Sequence, residues 1–181
     1  MLYRKTVQLK NGDELLLRNG EEGDGAALLA IFNQTHAETD FLLTYPDETS
    51  FTVESESAHL KQKTEDPRSI EILAFIGGKL VGSAGFYALK SVAKLKHRAD
   101  FGISVLKEYW GLGIGSALTE ACIECARAAG YTQLELDVVA ENAAAIALYK
   151  KHGFVEFGRN PRGFLLRNGE YQELVNMRLE L

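Results

Sequence analysis

This chain is poor in the residues that build metal centres, disulfide frameworks and membrane spans. Of its 181 residues only two are cysteines, Cys122 and Cys125, and the four histidines, His36, His59, His97 and His152, are scattered. A Cys-x-x-Cys pair can be a redox couple or half of a metal site. Here no second pair and no histidine cluster completes one, so small core residues in a helix is the stronger reading, and the setting expected is reducing cytoplasm. No metal is expected, because the histidines show no ligand spacing. His152 stands just before Gly153 at a helix end, where a positive charge suits the dipole. No apolar run is long enough to span a membrane, and Met1–Lys10 alternates polar with apolar residues instead of forming a signal-peptide core. No lysine- or arginine-rich run exists and the formal charge is −5, which argues against nucleic acid as partner and agrees weakly with a cationic small substrate. There is no repeat, low-complexity tract or Pro/Ser-rich linker, so one domain is expected over residues 1–181.

What is present is ordinary in bulk, with 46% hydrophobic and 25% charged residues, enough for a real core. Leu2–Leu9 and Asp13–Arg18 read as short strands around the Asn11-Gly12 turn. Glu22–His36 fits a helix, with apolar residues at Ala26, Leu29, Ala30 and Phe32. Phe41–Thr52, with Pro46, reads as loop, and Val53–Glu65 as a helix closed by Pro67. The clearest hairpin is Ile70–Ile76, the turn Gly77-Gly78, and Lys79–Leu89. Arg98–Val105 reads as a strand, followed by a glycine-rich turn and a helix from about Gly113 to Ala129, ended by Gly130. Leu134–Val139 is a strand, and Asn142 caps a helix over Ala143–Lys151. Phe154–Phe157, Phe164–Leu166 and Tyr171–Leu179 read as closing strands. Helices first, then a strand meander, then β-α-β-α-β describe an α+β (mixed α/β) fold, not a doubly wound sheet.

The stretch Phe101-Gly-Ile-Ser-Val-Leu-Lys-Glu-Tyr-Trp-Gly-Leu-Gly-Ile-Gly-Ser116 carries the most chemistry. An apolar strand runs into glycines 111, 113 and 115, and these open a helix. A helix N-terminus leaves backbone N–H groups unpaired, its dipole favours an anion, and glycines let a diphosphate approach. The segment Gly111, Leu112, Gly113, Ile114, Gly115, Ser116 is therefore a candidate pyrophosphate cradle. Taken alone the signal is weak. The third glycine follows the second by two residues where a dinucleotide fingerprint needs three, and no Lys-Ser/Thr completes a P-loop.

A second segment makes the pattern specific. Asn142-Ala-Ala-Ala-Ile-Ala-Leu-Tyr-Lys-Lys-His-Gly-Phe154, one helix and one strand downstream, together with the glycine turn resembles the core of the GNAT N-acetyltransferases, over roughly Arg98–Phe157. The family's turn usually begins with Gln or Arg, and here that position is Trp110, a structural plug or a group stacking near the cofactor. The resemblance implies a single domain with a central, mostly antiparallel mixed sheet flanked by helices. It also implies acetyl-CoA as acetyl donor and an amine of a small molecule or peptide as acceptor. The backbone of Ile103, Ser104 and Val105 would take the pantetheine arm as an added strand, and Asn142 would contact the cofactor, cap its helix, or both. Tyr149 would protonate the departing thiolate, or else be a packed aromatic. Asp100, where many relatives carry Glu, would accept the amine's proton, or else be a solvated strand residue, with Glu38, Asp40 and Glu141 as alternatives. Residues 34–50 and 158–169 would shape the acceptor site, and a homodimer is compatible with the resemblance. A non-catalytic acyl-CoA sensor with the same fold is the competing reading.

Overall fold

A computed structural model describes all 181 residues, Met1–Leu181. One eight-stranded sheet runs through the molecule in the order β1-β2-β3-β4-β5-β6-β8-β7. The strands are β1 (Arg4–Gln8), β2 (Glu14–Asn19), β3 (Ile70–Ile76), β4 (Lys79–Ala88), β5 (Arg98–Val105), β6 (Gln133–Val139), β7 (Val155–Leu165) and β8 (Tyr171–Glu180). The helices are α1 (Gly25–Glu38), α2 (Val53–Glu65), α3 (Ile114–Ala128) and α4 (Ala143–Lys151). Every pairing is antiparallel except β5 with β6. No helix is long and apolar enough to cross a membrane.

Two helical layers cover the sheet, and the strand pattern decides which residues each receives, because side chains alternate between faces. Ile70, Ile72, Ala84, Phe86, Ala99 and Phe101 face α3 and join Leu118, Ala121, Cys122 and Cys125 in the main core. Burial pushes both thiols up, Cys125 to about 11, so they are inert small core residues, as the lack of partners predicts. On the opposite face Leu73 and Leu80 meet Leu28, Ile31 and Leu60 of α1 and α2. The register places Glu71 beside Gly85 and Gly85 beside Gly102, on that same second face.

The main departure from the sequence reading lies near the C-terminus. The two short strands expected after Phe154 are one, β7, and Pro161 lies inside it. Pairing with β8 skips from Asn160 to Phe164, so Pro161, which has no N–H to donate, sits where the ladder is interrupted on an edge strand. In the N-terminal half the first helix begins later than expected, because Glu22–Asp24 forms a short 3-10 turn ahead of α1. Asp24 folds back on that turn, accepting the backbone N–H of Glu21 at 2.8 Å, and pairs with Arg18 at 2.6 Å.

Candidate active site

The site begins where the sheet splits. β5 and β6 pair only over Arg98–Asp100 with Gln133–Glu135, and Arg98 pins the junction through a two-pronged ion pair with Glu135. Beyond it the strands separate. The N–H of Leu106 donates to Val81, and the carbonyl of Arg98 accepts from Leu89, so the even-numbered residues of β5 turn their backbone groups to β4. Alternation then turns those of Phe101, Ile103 and Val105 toward the gap. An extended ligand entering there meets a strand edge with its ladder open, as the sequence reading expects for Ile103 and Val105.

The glycine turn closes one end. Gly111 and Gly113 have φ of +80° and +97°, left-handed conformations that side chains resist, and Gly113 is the N-cap of α3. Gly115 does different work. A Cβ there would lie 3.1 Å from Leu148, so this glycine lets α3 approach α4. Together they bring the N-terminus of a 15-residue helix to the cleft.

A cleft of about 360 Å³ joins these parts. Ile103, Ser104, Val105, Gly111, Gly113, Ile114, Gly115, Ser116, Asn142 and Tyr149 all line it, so nearly every residue assigned to cofactor binding or acid catalysis converges there. Leu112 does not, and packs half-buried against the main core. Asn142 accepts the N–H of Ala145 at 3.2 Å, so it caps α4 while standing at the cleft wall. Tyr149 is buried between Phe101 and Phe154, at centroid distances of 6.3 and 5.7 Å, and burial raises its hydroxyl pKa, which keeps it protonated.

Trp110 has a structural part. Its Nε1–H donates to the carbonyl of Val105 at 2.7 Å, tying the turn to the strand end and occupying one of the gap-facing acceptors. Charge near the turn comes from the end of α4, which the sequence reading did not assign. Lys151 Nζ donates to Ser116 Oγ at 3.1 Å, and Ser116 lies 2.7 Å from His152 Nε2. Glu120 is 4.0 Å from the other His152 nitrogen, and burial lowers the His152 pKa. Hydroxyl, imidazole and carboxylate thus line up, but at the first turn of α3, where donors serve an anion. The legible signal was the lysine two residues after Tyr149.

Asp100 lies on the other face of β5 and lines neither the cleft nor the second cavity described below. Tyr87 donates to its Oδ2 at 2.6 Å. Burial raises the Asp100 pKa; the Tyr87 bond opposes this, and the charges of Asp137 and Glu135 add to it. Tyr87 is pushed up to about 12 by the same bond. Of the alternative bases, Glu38 accepts the N–H of Lys107 at 2.8 Å and bridges α1 to the turn, while Glu141 is exposed. Asp40 also lines neither cavity.

The segments expected to shape the acceptor site divide. Thr35, Thr39, Phe41 and Leu42 line the cleft. Residues 158–169 line neither of these two cavities; Arg167 braces the 45–48 turn through Asp47 at 2.6 Å. No three His, Cys, Asp or Glu side chains gather as metal ligands.

The family model for the acetyltransferase (GNAT) family matches residues 31–154. The chain belongs to the GNAT acetyltransferase family. It is 31% identical over 167 residues to an L-amino acid N-acetyltransferase of Escherichia coli, covering 91% of this chain and 96% of the relative. A GNAT-family acetyltransferase from Streptococcus pneumoniae superposes with a TM-score of 0.88 at 35% identity, over 92% of this chain and 99% of that one. A putative acetyltransferase from Salmonella typhimurium, solved with its cofactor acetyl-CoA, has the same fold at a TM-score of 0.82 and 21% identity, over 92% and 94% of the two chains.

Proposed function

We propose that this GNAT protein is an acetyl-CoA-dependent N-acetyltransferase acting on the primary amine of a small molecule. The observation that carries the reading is the open edge of β5 running into the left-handed glycine turn at the start of α3, with Tyr149 in the same cleft. The residues present fit the cofactor: a ladder edge for an amide-bearing arm, a helix N-terminus with Ser116 and Lys151 for phosphates, and a buried phenol where a thiolate would leave. Acetyl-CoA supplies a thioester carbonyl; the amine nitrogen forms the new C–N bond as the C–S bond breaks.

The chain's own groups then have defined tasks. Tyr149 holds a proton for the departing sulfur, since its burial disfavours the phenolate. Asp100 takes a proton from the acceptor's ammonium, directly or through a water, on the face of β5 that looks toward α1 and α2, and the free amine then attacks. The raised pKa of Asp100 brings it closer to working pH. Neither cysteine serves as nucleophile, because both are buried in the core. A small acceptor is favoured over a peptide by the Escherichia coli relative, whose name gives L-amino acids as its substrates and whose chain this one spans almost completely.

The test is thiol release from acetyl-CoA on a panel of amino acids, monoamines, diamines and N-terminal peptides. Amine-dependent release with a small amine is the expected result. Binding of acetyl-CoA without release by any amine would replace this reading with that of an acyl-CoA sensor.

A further inference from the structure

A second cavity, of about 410 Å³, lies between the sheet and helices α1 and α2. Ser104 lines both it and the first cleft, so the two spaces adjoin one residue of β5. Its polar wall comes from Glu56 and His59 of α2, Glu71 of β3, Ser83 of β4 and Ser104. Its apolar wall includes Phe32 and Phe51, packed edge to face at 5.1 Å.

Glu56 is the telling side chain. It is only 9% exposed, and burial alone raises its pKa, with no cation or hydrogen-bond donor to offset the cost. A carboxylate removed from water without a partner is expensive, and a cation entering the cavity removes that expense. Glu71 shares the predicament in part. Burial raises its pKa, the charge of Lys63 and a bond from Ser83 oppose the rise, and the charge of Glu56 adds to it. Lys63 spends its ammonium elsewhere, donating to the Phe86 carbonyl at 3.2 Å with its Nζ 5.2 Å from the Tyr87 ring centroid.

The sheet makes room for a ligand at this point. A Cβ on Gly85 would collide with the Glu71 carboxylate, so the glycine allows that carboxylate to fold across β4 toward β5. The next residue along the row, Gly102, has open space where its side chain would be. Glu71, Gly85 and Gly102 thus form one row across β3, β4 and β5, on the face that also carries Ser104. From β3 to β5 is roughly 10 Å, two strand spacings.

We propose that this cavity holds the far end of the acceptor and selects amines that carry a second cationic group a short aliphatic chain away, such as alkyl diamines. This rests on the acetyltransferase reading above. The reacting amine lies near Ser104, the methylenes run along Phe32 and Phe51, and the distal ammonium meets Glu56 and Glu71.

The test compares 1,4-diaminobutane with n-butylamine by thiol release, and by calorimetric titration into the protein loaded with CoA. The diamine should bind at least tenfold more tightly and show the correspondingly lower KM. Glu56→Gln should erase that preference while leaving CoA affinity unchanged, and Glu71→Gln should reduce it. Diamine binding no tighter than monoamine binding, or a preference that survives in both variants, overturns the proposal even if other amines are acetylated. Preferential diamine binding that Glu56→Gln removes, with no thiol release from any amine, supports the cavity and instead sinks the acetyltransferase reading.

Discussion

The two faces of β5 are built by different means. Toward α3 and α4 the site is made almost wholly of backbone: an unpaired strand edge, two left-handed glycines and a helix N-terminus, set on an apolar core. Toward α1 and α2 it is made of side chains, with Glu71, Glu56, Ser83 and Ser104 brought together from three strands and a helix. Backbone recognition suits a ligand that never changes, and side-chain recognition suits one that differs between relatives. The first face should therefore govern donor binding and the second acceptor choice.

The sharpest way to break that division is Gly113→Asp. It adds a carboxylate at the anion end and forces a side chain onto φ of +97°, which should cost ~3 kcal/mol, a loss on the order of 100-fold in acetyl-CoA affinity. Unchanged affinity by calorimetry would move the phosphate site elsewhere. Tyr149→Phe should lower kcat by about 100-fold with acetyl-CoA affinity intact, because only proton donation is lost. Equal turnover in variant and wild type would leave Tyr149 a packing residue between Phe101 and Phe154.

Asp100→Asn should lower kcat/KM by roughly tenfold or more. The pH profile gives the sign. Burial raises the Asp100 pKa, so activity should fall as pH drops through a value above the ordinary aspartate range, and the asparagine variant should lose that limb. A limb that persists in the variant would assign the proton to another group. The smallest effect expected is from Trp110→Phe, which removes one hydrogen bond at 2.7 Å, worth about 1 kcal/mol, and should weaken acetyl-CoA binding by about fivefold. Tighter binding instead would mean that Trp110 competes with the ligand for the Val105 carbonyl.

Legibility in the sequence followed the same division. The strands Ile70–Ile76 and Arg98–Val105 and the helices Val53–Glu65 and Ala143–Lys151 match their expected bounds, because alternation, helical spacing and caps such as Asn142 are local signals. The glycine turn was legible for the same reason: the residues that need positive φ are the ones that announce it. The row of Glu71, Gly85 and Gly102 was not, since three residues up to 31 positions apart become neighbours only through the β3–β4–β5 register. The strands expected separately at Phe154–Phe157 and Phe164–Leu166 are one, because an edge position lets the chain keep Pro161 within it. Trp110, which departs from the family's usual residue, was legible as structural but not in its partner, the carbonyl of Val105.

The central claim is that the split between β5 and β6, closed by the glycine turn, is an acetyl-CoA site. Calorimetric titration of the wild-type protein and of Gly113→Asp with acetyl-CoA, with NADH and ATP as controls, tests it most directly. Selective one-to-one binding of acetyl-CoA that the substitution abolishes is the predicted result. No binding to the wild type, or equal binding to both proteins, would contradict it.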